Sequence, residues 1–313
     1  MTNRRDFLVT FTMAAGAVSV LKPLNVFAGI SSKFPTTSGT NVLSILHTAN
    51  IKGQWSALGI TEKMAGLGGL ENIAKKIADI KKETASVLVI DAGNVSGHHQ
   101  TREERLHFYK RVSHAGYDAV IPGRTDLVHG ATCFAELIKE SNLNAVSSTV
   151  QPNVDATLLP YAIVRKSKTN IGIINAGTEA LKDSHHTSTF QASDAINQTA
   201  RQLRASKNCT IIICIIQSSD TICSKLAGLS NGIDVIISAA DKTSLHNTQI
   251  VRNKSNHEVI VSHAGSRGIM MSRIDLTYND KGEKINMASK AIFAGANNES
   301  YASISKRCDT YNA

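Results

Sequence analysis

Histidines, cysteines and carboxylates are the side chains of this 313-residue chain that could hold an ion or attack a substrate. Potential ligands come close in sequence at His98-His99, at His185-His186, and at Asp241 with His246. Adjacent histidines point to different sides of most backbones, so such pairs rarely chelate as they stand, and surface loop histidines are the plainer reading. Cys133, Cys209, Cys214, Cys223 and Cys308 form no C-x-x-C pair and no zinc spacing. Cys214 lies within an apolar run, where a buried, inert thiol is expected. An export address would permit a disulfide, but an odd number of cysteines leaves at least one thiol unpaired within the chain. There is no G-x-S-x-G elbow to expose a nucleophilic serine, and no P-loop or dinucleotide fingerprint to cradle phosphates.

The elements that must position any site alternate short β-branched runs with helical patterns. Strands are expected at 42–47, 86–91, 119–121, 171–175, 210–216 and 233–238. Leu70, Ile73, Ile77 and Ile80 recur at helical spacing across 69–83, with lysines opposite. Residues 273–278 and 284–293, joined by Asn279-Asp280-Lys281-Gly282, read as a closing hairpin. One α/β domain is expected over 42–293, followed by a polar tail at 294–313.

The front of the chain reads as an address. Asn3-Arg4-Arg5-Asp6-Phe7-Leu8 precedes a moderately apolar stretch, and Val26-Phe27-Ala28 offers the small residues a signal peptidase reads. Residues 1–28 therefore resemble a twin-arginine signal peptide, with 29–41, rich in Ser, Thr and Gly, as a linker. Export to the periplasm or cell envelope follows, with no membrane span left after cleavage. The formal charge is +9, a balance that favours anionic partners. The basic residues fall in scattered pairs such as Lys75-Lys76 and Lys81-Lys82, as on solvated helix faces. Nucleic acid is not the expected partner.

Seven blocks, in order, resemble the 5′-nucleotidase branch of the calcineurin-like metallophosphoesterases. I-L-H-T-A-N-I-K-G (45–53) is similar to the family's I-L-H-T-N-D-x-H-G. Gly68-Gly69-Leu70 resembles the start of its G-G-x-A turn, V-L-V-I-D-A-G-N (87–94) its L-L-L-D-A-G-D, and G-Y-D-A-V-I-P-G-R-T-D (116–126) its G-Y-D-A-x-x-x-G-N-H-E. Pro160-Tyr161 with Ile171-Gly172-Ile173-Ile174, I-D-V-I-I-S-A-A-D-K-T (233–243), and 259–276 complete the series. The resemblance implies a four-layer α/β/β/α sandwich with ligand loops at the carboxyl ends of the strands.

In that family two divalent cations, held by carboxylates, imidazoles and one amide, activate water against a phosphoester. Carried over position by position, the ligands are replaced here. The first strand's Asp and His become Asn50 and Lys52, and the bridging Asp becomes Asn94. In the G-N-H-E loop the Asn, His and Glu become Arg124, Thr125 and Asp126. The His after the 210–216 strand becomes Gln217, and the paired histidines of G-H-x-H become Ala240 and Lys242. Lysine has no lone pair to offer at neutral pH, and arginine hardly deprotonates. No metal or other cofactor is expected.

Two uses of the altered loops stay open. Lys52, Arg124 and Lys242 could stand in for the lost cations and hold a phosphate-like anion, with Asn50, Asn94 and Gln217 as neutral donors. Alternatively, polar side chains simply fill the hollow, and Asp126 and Asp241 pair with the new cations. The function implied is that of a non-catalytic metallophosphoesterase homologue in the envelope, binding a small anion or a partner protein. The alternative is a phosphoric ester hydrolase with an atypical site. Family members acting on nucleotides usually carry a second, base-stacking domain, so a separate nucleotide-recognition subunit is a further expected partner. The single tryptophan, Trp55, would contact a ligand or cap its loop.

Overall fold

The computed structural model describes residues 41–59, 62, 64–147, 158–159, 161–176, 186–240, 247–280 and 284–295. Contacts divide the chain into Met1–Phe34 and Pro35–Ala313, and every described residue belongs to the second unit. The expected signal, most of the linker, and the tail beyond Gly295 lie outside the described residues.

The strands are β1 (Asn41–Thr48), β2 (Val87–Asp91), β3 (Ala119–Val120), β4 (Ala145–Val146), β5 (Leu158–Leu159), β6 (Tyr161–Lys166), β7 (Thr169–Asn175), β8 (Ile211–Ile216), β9 (Val235–Ser238), β10 (Asn247–Arg252), β11 (Glu258–His263), β12 (Met270–Tyr278) and β13 (Lys284–Phe293). The helices are α1 (Leu70–Glu83), α2 (Arg102–His114), α3 (Ala131–Glu140), α4 (His186–Lys207) and α5 (Asp220–Leu229). One sheet has seven strands in the order β13-β12-β1-β2-β3-β4-β5, and the other has six in the order β10-β11-β9-β8-β7-β6. Strands β1 to β5 run parallel, as do β7, β8, β9 and β11.

Side-chain alternation along the strands builds four layers. In β8, Ile211, Ile213 and Ile215 meet Ile45, Leu88 and Ile90 of the other sheet. Its Ile212, Cys214 and Ile216 face the opposite way, against Leu203 of α4 and Leu226 of α5. In the seven-stranded sheet, Leu46, Val89 and Val120 turn outward to Ile73 and Ile77 of α1, Phe108 of α2 and Phe134 of α3. Both faces of each sheet are therefore covered, which is why β2 as far as Ile90 and β8 throughout read as unbroken apolar runs. The order is helices, sheet, sheet, helices. Cys214 is fully buried, as expected, and burial pushes its thiol up out of the reactive range.

Helix α1 buries Leu70, Ile73, Ile77 and Ile80 on one stripe. Its exposed pairs, Lys75 to Glu71 at 2.9 Å and Lys82 to Asp79 at 3.1 Å, contribute little in water. Helix α2 starts with a capping box: Thr101 Oγ1 accepts from Glu104 N–H, and the Glu104 carboxylate accepts from Thr101 N–H at 2.8 Å. Parallel strands end on one side, so the loops after β1, β2, β3, β8 and β9 gather along one edge of the sandwich. Among the described residues, no helix is long and apolar enough to cross a membrane.

Gly69 holds the entry to α1 at φ 82, where an added Cβ would fall 2.5 Å from Trp55 O and even nearer to Ser56 O. Gly66 has a similar φ of 78, with open space around it. Both Gly→Ala variants are expected to lose stability in urea titrations, Gly66→Ala by about 1 kcal/mol from its backbone conformation alone. Gly69→Ala should lose about 1–3 kcal/mol more. Equal losses would mean that the close approach at Gly69 is easily relieved.

Candidate functional site

The loops after β1 and β2 run side by side and extend the parallel pairing past the strand ends. Asn50 N–H donates to Gly93 O, Lys52 N–H to Asn94 O and Gly53 N–H to Val95 O, each at 2.8 Å. Asn50, Lys52 and Asn94 take left-handed backbone conformations, with φ of 55, 54 and 57. Asn tolerates that region better than most residues; Lys52 is held there by its neighbours' hydrogen bonds.

At the centre is a chain of side-chain amides. Asn50 Nδ2 donates to Ala240 O at 3.1 Å, and Asn94 Nδ2 donates to Asn50 Oδ1 at 2.8 Å. Asn94 Oδ1 in turn accepts from Thr125 N–H at 3.0 Å and from Thr125 Oγ1 at 3.2 Å. Fixed backbone groups at both ends set every amide orientation: Thr125 N–H requires an oxygen of Asn94, and Ala240 O requires a nitrogen of Asn50. Gln217 enters from the other sheet and donates to Pro122 O at 2.9 Å and Ala92 O at 3.3 Å. The space is tight. A Cβ at Gly123 would lie 2.5 Å from Asn94 Oδ1, and one at Gly93 would collide with Gln217 Nε2.

The structure thus brings Asn50, Asn94 and Gln217 together with Thr125, and it places Lys52 beside them, half-buried. Arg124 stands on the exposed rim. Lys242, Asp241 and His246 lie outside the described residues, as do His185 and the side chain of His186. His98 and His99 are exposed, with ring centroids 4.9 Å apart. The expected pairing of Asp126 with a new cation takes another form. Asp126 is buried and accepts from Gly123 N–H and Ser96 N–H at 2.8 Å, Val95 N–H at 3.2 Å, Ser96 Oγ at 2.8 Å and Tyr109 OH at 2.7 Å. Trp55 is capped by the Arg111 guanidinium, 4.2 Å from the ring centroid.

Three functional-looking side chains escaped the sequence reading. Arg105 is almost fully buried and donates to Thr125 O and Ser96 Oγ at 2.7 Å, Gly97 O at 2.8 Å and Gln100 O at 3.0 Å. It joins Asp126 through the Ser96 hydroxyl, so the two buried charges compensate each other across one shared oxygen. Tyr109 sits over the same carboxylate, and burial with that charge raises its phenol well above its ordinary range. The available signal was the Thr101-x-x-Glu104 cap. It sets α2 in register and puts Arg105 on the stripe of Phe108, Tyr109 and Val112.

Asp91, at the end of β2, is the third. Thr48 Oγ1 donates to its Oδ2 at 2.6 Å and Gly93 N–H to its Oδ1 at 2.8 Å, while Thr48 Oγ1 lies 2.8 Å from Tyr117 OH. Complete burial raises the carboxyl to about 8, against the lowering effect of those two hydrogen bonds. Both hydroxyls can reverse, so a protonated Asp91 can donate to Thr48, which then donates to Tyr117.

Could these residues hold two divalent cations? A bridging ligand must offer lone pairs to both ions, with each oxygen about 2 Å from its metal. Here the amide of Asn94 turns an N–H toward Asn50, and the two side chains touch through a hydrogen bond with no room for an ion between them. Gln217 likewise turns its N–H groups to carbonyls. The donor set does not fit the metals.

The layer order, the gathered loops and the strand connectivity define the sandwich fold of the calcineurin-like metallophosphoesterases. No protein-family model matches the sequence, and no curated protein matches it. Among solved structures, the 5′-nucleotidase precursor from Thermus thermophilus is similar at TM-score 0.69 and 19% identity, over 86% of this chain and 58% of that one. The NAD nucleotidase of Haemophilus influenzae gives 0.64 and 14%, over 88% and 56%. The calcineurin-like phosphoesterase YfkN of Bacillus subtilis gives 0.62 and 16%, over 87% and 97%. This chain spans a little over half the length of the two nucleotidases and nearly all of the third protein. At such identities the likeness is one of fold.

The Asp91 chain predicts a pH dependence. An Asp in an unfolded chain ionises near pH 4, whereas the folded protein keeps this proton up to about pH 8. Asp91 therefore favours folding most below the unfolded value, and its contribution fades as pH rises toward the folded one. Asp91→Asn presents an N–H where the protonated acid presents an O–H. Urea titrations at about pH 5 and about pH 8 are expected to show a loss in the wild type that the variant lacks. Parallel behaviour of the two proteins would rule out the buried proton.

Proposed function

We propose that this chain is a non-catalytic protein of the metallophosphoesterase fold, exported to the cell envelope, in which an amide plug occupies the place of the metal pair. The observation that carries this reading is the 2.8 Å hydrogen bond from Asn94 Nδ2 to Asn50 Oδ1. Two dications a few ångströms apart repel strongly unless anions lie between them. The plug supplies neutral amides instead, and their hydrogen bonds close on one another and on backbone carbonyls.

The plug has a structural use that stands without catalysis. Asn50 to Ala240 and Gln217 to Ala92 and Pro122 link loops of the two sheets. Such links tie the sheets together at the edge where metals would otherwise do so. The twin-arginine pattern at residues 4–8 supports the envelope location.

Elemental analysis of the purified chain, with hydrolysis of an aryl phosphate followed in parallel, tests the reading. Substoichiometric metal and no hydrolysis above buffer are expected, with or without added manganese or zinc. Two tightly held equivalents of either ion, or turnover that a chelator abolishes, would overturn it. Asn94→Asp places a carboxylate against Asn50 Oδ1 and removes the donor between them. It is expected to lower stability by about 1–3 kcal/mol, with no recovery on adding manganese. Full recovery with the ion would show that the hollow still accepts metal.

A further inference from the structure

We propose that the flank where β13 and β10 end their sheets is a docking edge for an acidic, extended segment of a partner protein, which adds to β13 as a further strand. None of the plug residues takes part, so the inference stands apart from the metal question. Strands β13, β5, β10 and β6 close the ends of the two sheets. A strand at a sheet's edge leaves alternate N–H and C=O groups outside the ladder, a template for another chain. Among these four, β13 is the longest, with ten residues against six in β10 and two in β5. It pairs regularly with β12 from Phe293 back to Asn286; the register then shifts, and Ile285 opposes no residue of β12.

The two edge strands face each other across the sandwich, with Thr248 Oγ1 2.9 Å from Ser289 Oγ. Ile250 sits opposite Ile260 and Met287 opposite Leu276, and both of those partners belong to the core between the sheets. Residues opposite each other on paired strands share a face, so Ile250 and Met287 point into the same gap. Strands β1 and β9 end along one edge; β13 runs with β1, and β10 runs against β9. The step from Thr248 to Ile250 therefore follows the step from Ser289 to Met287, toward Ile285. Ile250 and Ile285 are each 54% exposed, ahead of Val128 at 40% and Ile163 at 39%. Among the described residues, the two most exposed large apolar side chains thus stand on neighbouring edges, where the gap between the sheets opens to water.

Charge selects the occupant. Strand β13 carries Lys284 and Lys290, both exposed, and no carboxylate. The carboxylates around it are taken. Asp275 is held by Arg273 at 2.7 Å, Asp234 by Arg204 at 2.7 Å, and Glu258 by Arg252 at 3.2 Å. Asp280, in the turn before β13, pairs with neither lysine. On the opposite flank β6 exposes Ile163, but its Lys166 is already paired with Asp118 at 2.7 Å.

A strand that alternates carboxylates with apolar residues complements both features. Its apolar face meets Ile250 and Met287, and its carboxylates meet Lys290, which stands on the other face of the sheet beside Arg273. Main-chain hydrogen bonds to β13 supply affinity, and the alternation supplies choice of partner. A second copy of this chain would bring the same lysines to the same edge, and lysines on edge strands discourage such self-pairing.

The probe is a fluorescein-labelled peptide of about eight residues that alternates Glu with Val, read by polarisation against the full chain. It is expected to bind with a Kd of about 100 μM or tighter, and to slow amide hydrogen exchange across 286–293. The same peptide N-methylated throughout keeps its charges but cannot extend a ladder, and should bind at least about tenfold more weakly. A counterpart with Lys in place of each Glu should not bind the wild type. A Lys284→Glu, Lys290→Glu double variant should reverse that preference, a gain that a misfolded protein would not show. Absence of binding by the Glu peptide, equal binding of its methylated form, or an unchanged preference in the double variant overturns the proposal. So does self-association that protects the same amides without peptide, which would assign the edge to a second copy. Metal content enters none of these readings, so they hold or fail separately from the plug.

Discussion

The hydrogen bond between the Asn94 and Asn50 side chains is the contact on which the rest of this site depends. It is neutral, short and anchored at both ends by backbone groups that cannot move without disturbing a strand end. A pair of carboxylates at these positions would repel at that separation and would need a cation between them. Amides invert the requirement: one offers an N–H, the other an oxygen, and the space closes. From that single inversion follow the inter-sheet links through Ala240 and Gln217 and the absence of room for an ion.

A second layer of buried polar contacts keeps the plug in place. Asp126 collects the amide N–H groups of two loops, and Arg105 collects four of their carbonyls. Burying a lone charge is costly, whereas two opposed charges bridged through Ser96 and saturated with backbone partners are tolerated and specify one loop arrangement. Together with the Thr48 contact to Asp91, these groups form an almost continuous polar seam beneath the strand ends. Apolar packing supports it from both sides, through Phe134 and Tyr109 on one face and the isoleucines of β8 on the other.

The strands that carry unbroken β-branched runs were legible from composition, because a parallel sheet covered on both faces leaves no polar position to blur the pattern. Helix α1 was legible for the opposite reason, since its stripe of Leu70, Ile73, Ile77 and Ile80 faces inward and its lysines outward. Helix α2 was not. Its Arg105 breaks the apolar stripe, and only the capping box betrays where the helix begins. Strands β4 and β5, two residues each, are too short to show any period, whereas the equally short β3 falls within the strand expected at 119–121.

By itself, the amino-acid order determined which residue types stand just past the ends of the strands, among them the amides Asn50, Asn94 and Gln217 and the cations Lys52 and Arg124. It could do so because side-chain chemistry is local. Only the folded molecule decided where those groups point. Asn50, Asn94 and Gln217 turn to one another's loops, Asp126 turns to backbone amides rather than to a cation, and Arg105 leaves the solvent altogether. Partners separated by 44 residues at Asn50 and Asn94, or by 190 at Asn50 and Ala240, are brought together by sheet packing. No periodicity along the chain encodes that geometry.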